Sequence, residues 1–234
     1  MSDPSTLIIR PGGLELTKKA VDAVRLTPDS HVLDIGCGSG ASLVLIRRIT
    51  GCHTTGIDRS RRMLERAGEA LGTEPAAVYN RNEPVNLLQA DACSLPFPDA
   101  SFDFVMMECT LTLFRDPALA LREAARVLCP GRWLYISALS RKNPSASDPL
   151  VTNGLLNTIR LQESFSDIGF EHNSVSISDQ SSSLIQFAAD IIFQYGSLDR
   201  YISETTRLVD GCIFNGAPSP KETGYVSILA KRRL

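Results

Sequence analysis

The chain has 234 residues, 43% hydrophobic and 21% charged, with a formal net charge of −2, the balance of an ordinary globular protein of single-domain size. No basic stripe marks a polynucleotide partner, no apolar run reaches the ~20 residues that span a bilayer, and the N-terminus lacks the basic-then-apolar order of a secretory signal. The six cysteines are scattered, without C-x-x-C pairs or histidines at ligand spacing, so the expectation is free thiols in the cytoplasm and no metal site.

In chain order, Pro11-Gly12-Gly13 leads into a helical pattern over Leu14–Leu26. Continuous apolar runs, the mark of strands buried on both faces, follow at His31–Ile35, His53–Asp58, Asn86–Asp91, Phe102–Cys109 and Trp133–Leu139. Helical patterns separate them at Ala41–Thr50, Ser60–Leu71 and Pro117–Leu128. The last has Asp116 as N-cap, Pro117 at the first helical position, and an apolar face of Leu121, Ala124, Ala125 and Leu128, with Gly131 closing it. Beyond Arg141 the expected elements are a helix near Leu155–Gly169 and a strand near Phe170–Ser178. A helix containing Ser183 and Gln186 at capping-box spacing comes next, and then a last strand, Gly224–Ala230. The alternation predicts an α/β fold with a doubly wound, mostly parallel seven-stranded sheet, helices on both faces, and a helical insertion before the last strand. The whole of 1–234 reads as one domain.

The stretch His31–Leu45, HVLDIGCGSGASLVL, runs from a strand through glycines into a helix. Glycines let a backbone approach a ligand closely, and a helix N-terminus presents N–H groups and a positive dipole end. A nucleoside triphosphate loop is excluded, because Gly40 is followed by Ala41-Ser42 without lysine. A dinucleotide is harder to dismiss: Gly36, Gly38 and Ala41 satisfy G-x-G-x-x-A, and Asp58 ends the second strand. Three acids tilt the reading toward an adenosyl amino acid. Asp34 lies in an apolar strand end where a carboxylate needs partners, which an amino-acid tail supplies and a pyrophosphate does not. Asp91, ending the third strand, adds an acceptor on the same rim. Asp58 beside Arg59 disfavours a 2′-phosphate.

VLDIGCGSG, GIDRS, LLQADACSLPFPDASFDFVMMEC and ALREAARVLCPGRWLYIS together resemble the successive motifs of class I S-adenosylmethionine-dependent methyltransferases. The similarity is greatest to the small-molecule branch that includes quinone-biosynthesis and sterol methyltransferases, and it covers about Val32–Ala138. The resemblance implies transfer of a methyl group from S-adenosyl-L-methionine to a small-molecule acceptor, leaving S-adenosyl-L-homocysteine. It places Gly36, Cys37, Gly38 and Gly40 under the methionine and ribose portions, with Asp34 orienting the amino-acid end. Asp58 takes the ribose hydroxyls, Arg59 lies beside the adenine, and Asp91 and the Ala92 N–H bind the adenine edge. Glu108 and Cys109 stand next to the transferred methyl; Glu108 is the candidate catalytic residue, as a cofactor contact, the holder of a water or a base, with a tyrosine as the other candidate base. One departure is Pro130-Gly131-Arg132 where the family has Pro-Gly-Gly.

His31, His53 and His172 stand at strand starts, opposite the ligand rim, and are not expected in catalysis. Acceptor choice is expected in Leu7–Leu16, within an N-terminal segment 1–30, and in the insertion Ser181–Asn215. These are read as a lid or substrate cap, against a core extension or a homodimer contact. A nicotinamide-dependent oxidoreductase and a non-catalytic S-adenosylmethionine-binding partner protein remain the alternatives.

Overall fold

The computed structural model describes residues 10–72, 85–197, 200–201 and 221–234. Its centre is β1 (His31–Ile35), whose residues after His31 are all buried. β2 (His53–Asp58) and β4 (Phe102–Glu108) flank it in parallel, β3 (Asn86–Gln89) extends the β2 side, and β5 (Leu128–Arg141) extends the β4 side. The last strand, β9 (Thr223–Lys231), runs antiparallel along β5, and β8 (Ser176–Asp179) pairs antiparallel with its far edge. The main sheet therefore has the order β3-β2-β1-β4-β5-β9-β8, the seven strands expected. A two-residue-per-strand hairpin, β6 (Val151–Thr152) and β7 (Leu155–Leu156), joins at Ser140 and brings the sheet to nine.

Helices cover both faces because the strands are apolar on both. On one face α4 (Pro117–Val127) and α5 (Thr158–Asp167) bury Leu121, Ala124, Leu161 and Phe165 against Leu33, Val105, Leu134 and Ile136. On the other, α1 (Gly13–Val24) and α2 (Ala41–Thr50) pack Ala20, Val21 and Ile46 on Val32, Phe104, Met106 and Tyr135. Each large apolar side chain so buried contributes about 1.5–3 kcal/mol. α3 (Arg61–Gly72) lies after β2 and buries Met63, Ala67 and Ala70, and α6 (Ser181–Tyr195) precedes β9.

The Asp116 cap forms as expected, its Oδ1 accepting from Leu119 N–H at 2.9 Å. Four local readings are corrected. Leu155 and Leu156 belong to β7, because Asn157 caps α5 by accepting from Ile159 and Arg160 N–H and so starts the helix later. The strand expected over Phe170–Ser178 is broken: Phe170 makes one isolated bridge to Arg232, and Ser174 Oγ bonds back to Glu171 C=O in a 3-10 turn. Ser183 and Gln186 do not form a capping box. α6 begins at Ser181, whose Oγ donates to Asp179, while Gln186 reaches forward to Asp190. Finally, β5 starts directly at Leu128, with Gly131 at φ +74° inside its first turn of chain rather than ending α4. His31 and His53 stack at 4.6 Å at the strand starts, away from the glycine loop.

Candidate functional site at the ends of the parallel strands

The parallel strands β1, β2 and β4 end along one rim, the usual place for a ligand in an open α/β sheet. The chain leaves β1 through Gly36, whose N–H, together with that of Cys37, donates to the Ile57 carbonyl at 2.8 and 2.9 Å. Gly36 has φ +81°, and a Cβ there would lie 2.5 Å from Thr110 Cγ2. Thr110 is itself fixed by a hydrogen bond to Ile35 C=O, so both backbone conformation and space demand glycine. Gly40, at φ +78° against Ala67 of α3, ends the loop and caps α2. Cys37 does not face the rim; its sulfur packs against Gly56 of β2, and burial raises its thiol pKa well above the usual range.

Asp58, half-buried at the end of β2, accepts from Gly38 N–H (3.0 Å) and Ser60 N–H (2.8 Å), one on each carboxylate oxygen. A carboxylate offers about four lone-pair directions, so Asp58 fixes the loop and keeps acceptor capacity toward the rim. Arg59 is exposed, its carbonyl held by Gln89 Nε2 at 2.9 Å. Asp91 lies just past β3 in an exposed Asx turn, Oδ1 accepting from Cys93 N–H at 2.8 Å, and Ala92 beside it is buried. Structure and sequence thus agree in bringing Asp34, the glycine loop, Asp58 and Glu108 to one rim, with Arg59 and Asp91 on its outer side.

Glu108 is the point of departure. Its Oε1 accepts from Thr17 Oγ1 (2.7 Å), and its Oε2 accepts from Ser42 Oγ (2.5 Å) and pairs with Arg10 Nη2 (3.0 Å). Arg10 Nη2 also lies 2.7 Å from Thr17 Oγ1 and 2.8 Å from Ser42 Oγ. The carboxylate expected as a base is therefore the hub of a buried network. It ties the segment before α1, α1 itself, and the first turn of α2 to the end of β4. Sequence reasoning missed Arg10, Thr17 and Ser42; the only local signal was one arginine in the apolar run LIIR.

Asp34, one position from the end of β1, is 2% exposed, and its Oδ1 has no hydrogen-bond partner among the described residues. Burial, reinforced by Glu108, pushes its pKa well above the ordinary carboxylate range, and Arg10 only partly opposes this. Across β4 and β5, on the same sheet face, Cys109 sits at φ +58° with Sγ 3.1 Å from Tyr225 Oη. The buried hydroxyls of Tyr135 and Ser137 nearby lack partners among the described residues. A cavity of about 180 Å³ lies lower on this face, lined by Leu16, Lys19, Tyr135, Ser178, Gln180 and Ser227 among others; none of the expected cofactor-binding residues lines it.

Residues 33–136 match the family model described as a methyltransferase domain. The chain is 36% identical over 141 residues to an O-methyltransferase, cnsE, of Penicillium expansum, covering 59% of this chain and 49% of that protein. It spans about half the length of the first curated relatives it matches. Among solved structures, the [4+2]-cyclase SpnF superposes with TM-score 0.72 at 24% identity, covering 100% of this chain and 86% of the other. A phosphoethanolamine N-methyltransferase of Haemonchus contortus, in complex with phosphomonomethylethanolamine and S-adenosylhomocysteine, superposes with TM-score 0.71 at 18% identity, covering 97% and 54%.

Proposed function

We propose that this chain, whose residues 33–136 match the methyltransferase-domain model, is a class I methyltransferase that binds S-adenosyl-L-methionine at the β1–β2–β4 rim and methylates a small molecule. The observation that carries the reading is Asp34: a buried carboxylate just before the glycine loop, one oxygen of which has no partner among the described residues. An ammonium compensates such a group when it ionises, whereas a pyrophosphate offers it no positive charge, which favours an amino-acid tail over a dinucleotide.

When bound, the sulfonium supplies an already electrophilic methyl group, so the protein need not activate it. What remains for the chain is binding, alignment and exclusion of water. Gly36 and Gly38 keep the loop low, Asp58 offers its remaining lone pairs to paired hydroxyls, and Asp91 with Ala92 N–H meets an adenine edge. Glu108 positions the N-terminal segment over α2, with both its oxygens engaged by Thr17, Ser42 and Arg10. The acceptor arrives nucleophilic or gives up its proton.

The segment before α1 and α6 border the rim together: a Cβ on Gly12 would meet Ser183 at 3.5 Å. This supports a lid built from the N-terminal 1–30 and the insertion 181–215, of which 1–9, 198–199 and 202–215 lie outside the described residues. Retained product formation after deletion of Ser181–Asn215 would count against the cap. A net charge of −2 supports a small-molecule acceptor over a polynucleotide. No described helix is long and apolar enough to cross a membrane, and free thiols at Cys37, Cys52, Cys93, Cys109 and Cys129 suit a cytoplasmic setting.

The test is isothermal titration calorimetry with S-adenosylmethionine, S-adenosylhomocysteine and NAD(H). Binding of the two sulfur ligands and not of NAD(H) is expected; the reverse would return the loop to the dinucleotide enzymes.

A further inference from the structure

Asp34 and Glu108 are two carboxylates buried on the same face of neighbouring strands, at 2% and 7% exposure. A single guanidinium, Arg10, serves both. Arg10 is committed to Glu108, at 3.0 Å with Thr17 and Ser42 completing the shell. Asp34 Oδ1 receives no hydrogen bond among the described residues. An ionised Asp34 would therefore be a buried anion opposed by Glu108 and Asp58 and only partly compensated by Arg10, which a folded protein avoids by neutralising the group.

The titratable and charged neighbours are few. Glu108 of β4 and Asp58 of β2 oppose ionisation of Asp34, Arg10 from the segment before α1 favours it, and Cys37 of the glycine loop stays a thiol. α1 and α2 contribute the neutral hydroxyls of Thr17 and Ser42, and β5 contributes Tyr135, which burial keeps as the phenol.

We propose that Asp34 is a proton-exchange site: it holds a proton in the ligand-free protein and releases it to solvent when the ammonium group of the donor's amino-acid tail takes the proton's place. The balance is one for one. The carboxyl O–H breaks, the proton goes to buffer, and the carboxylate formed is compensated by the ligand's positive charge, so the buried site stays near neutrality. Glu108 differs in having a counter-cation, Arg10, built in at 3.0 Å. Affinity for an ammonium-bearing ligand then rises with pH below the ligand-free pKa of Asp34, up to tenfold per pH unit, and flattens above it.

The inference rests on the donor reading, and one experiment separates them. S-adenosylhomocysteine is titrated calorimetrically into the full chain in phosphate and in Tris, buffers of different ionisation enthalpy, between pH 5.5 and 8. The expected result is binding whose heat depends on the buffer, corresponding to release approaching one proton per ligand at the acid end, with the release absent in Asp34→Asn. Binding with no buffer dependence across the range, or release undiminished in Asp34→Asn, overturns the exchange and leaves the donor reading intact. Absence of binding overturns both. Should Asp34→Asn not fold, infrared difference spectra of the wild type decide: loss of a protonated-carboxyl band on adding S-adenosylhomocysteine supports the exchange, and no loss refutes it.

Discussion

Replacing Glu108 with alanine tests whether this carboxylate is a structural hub or a chemical base. The substitution removes the acceptor for Thr17 and Ser42 and strands Arg10, whose side chain is only 13% exposed, without its counter-ion. Breaking one partner of a buried ion pair costs about 3–5 kcal/mol. At ~2–4 °C per kcal/mol for a domain of this size, that is a drop in Tm of roughly 6–20 °C. Glu108→Gln keeps the shape and part of the hydrogen bonding and should fall between wild type and alanine. Replacing both partners, Arg10→Met with Glu108→Leu, removes the stranded charge and should recover much of the loss, since apolar replacements of buried pairs are often neutral. Urea unfolding followed by circular dichroism on the double-mutant cycle gives the coupling directly. Additive effects of the two single changes would refute the network reading and return Glu108 to the list of available bases.

Gly36→Ala should cost about 2–5 kcal/mol, from left-handed strain plus overpacking against Thr110, and thermal unfolding measures it; a near-neutral result would mean the loop relaxes freely. Asp58→Ala removes two charge-assisted acceptors from the loop backbone, so affinity for S-adenosylhomocysteine should fall at least tenfold at ~1.5–3 kcal/mol per contact, read by calorimetry. Unchanged affinity would dissociate Asp58 from the ligand. Asp34 has a folded-state pKa above its unfolded value. The folded protein therefore binds the extra proton, and stability declines as pH rises from the ordinary carboxylate range through the folded pKa. Asp34→Asn should accordingly raise the ligand-free Tm at pH 8 and leave it little changed at pH 4; equal shifts at both pH values would contradict this assignment.

The strand-helix alternation and the rim were legible because they rest on local signals: unbroken apolar runs, glycines between strand and helix, and Asp116-Pro117 at a helix start. Errors fell where a side chain outvoted its neighbours. Asn157 delays α5, and Ser174 folds the chain back on Glu171 within what reads as a strand. The role of Glu108 was illegible for a different reason. Its partners Thr17 and Ser42 lie 91 and 66 residues away in sequence, and no periodicity links them. A carboxylate at the end of an apolar strand announces that partners exist without saying who they are.

The position of β9 has a consequence for the order of folding. Nine of its residues pair with β5 and four pair with β8, so it lies inside the sheet although it follows both in the chain. The β1–β2–β3 flank, in which strands consecutive in the chain pair across an intervening helix, can organise as soon as it is synthesised. β8 has no such opportunity: its only described sheet partner is β9, and until β9 arrives the flank of β5 is an unpaired edge that invites another chain. Substitutions that weaken β9, at Tyr225 or Ile228 for instance, should therefore show themselves first as aggregation during expression.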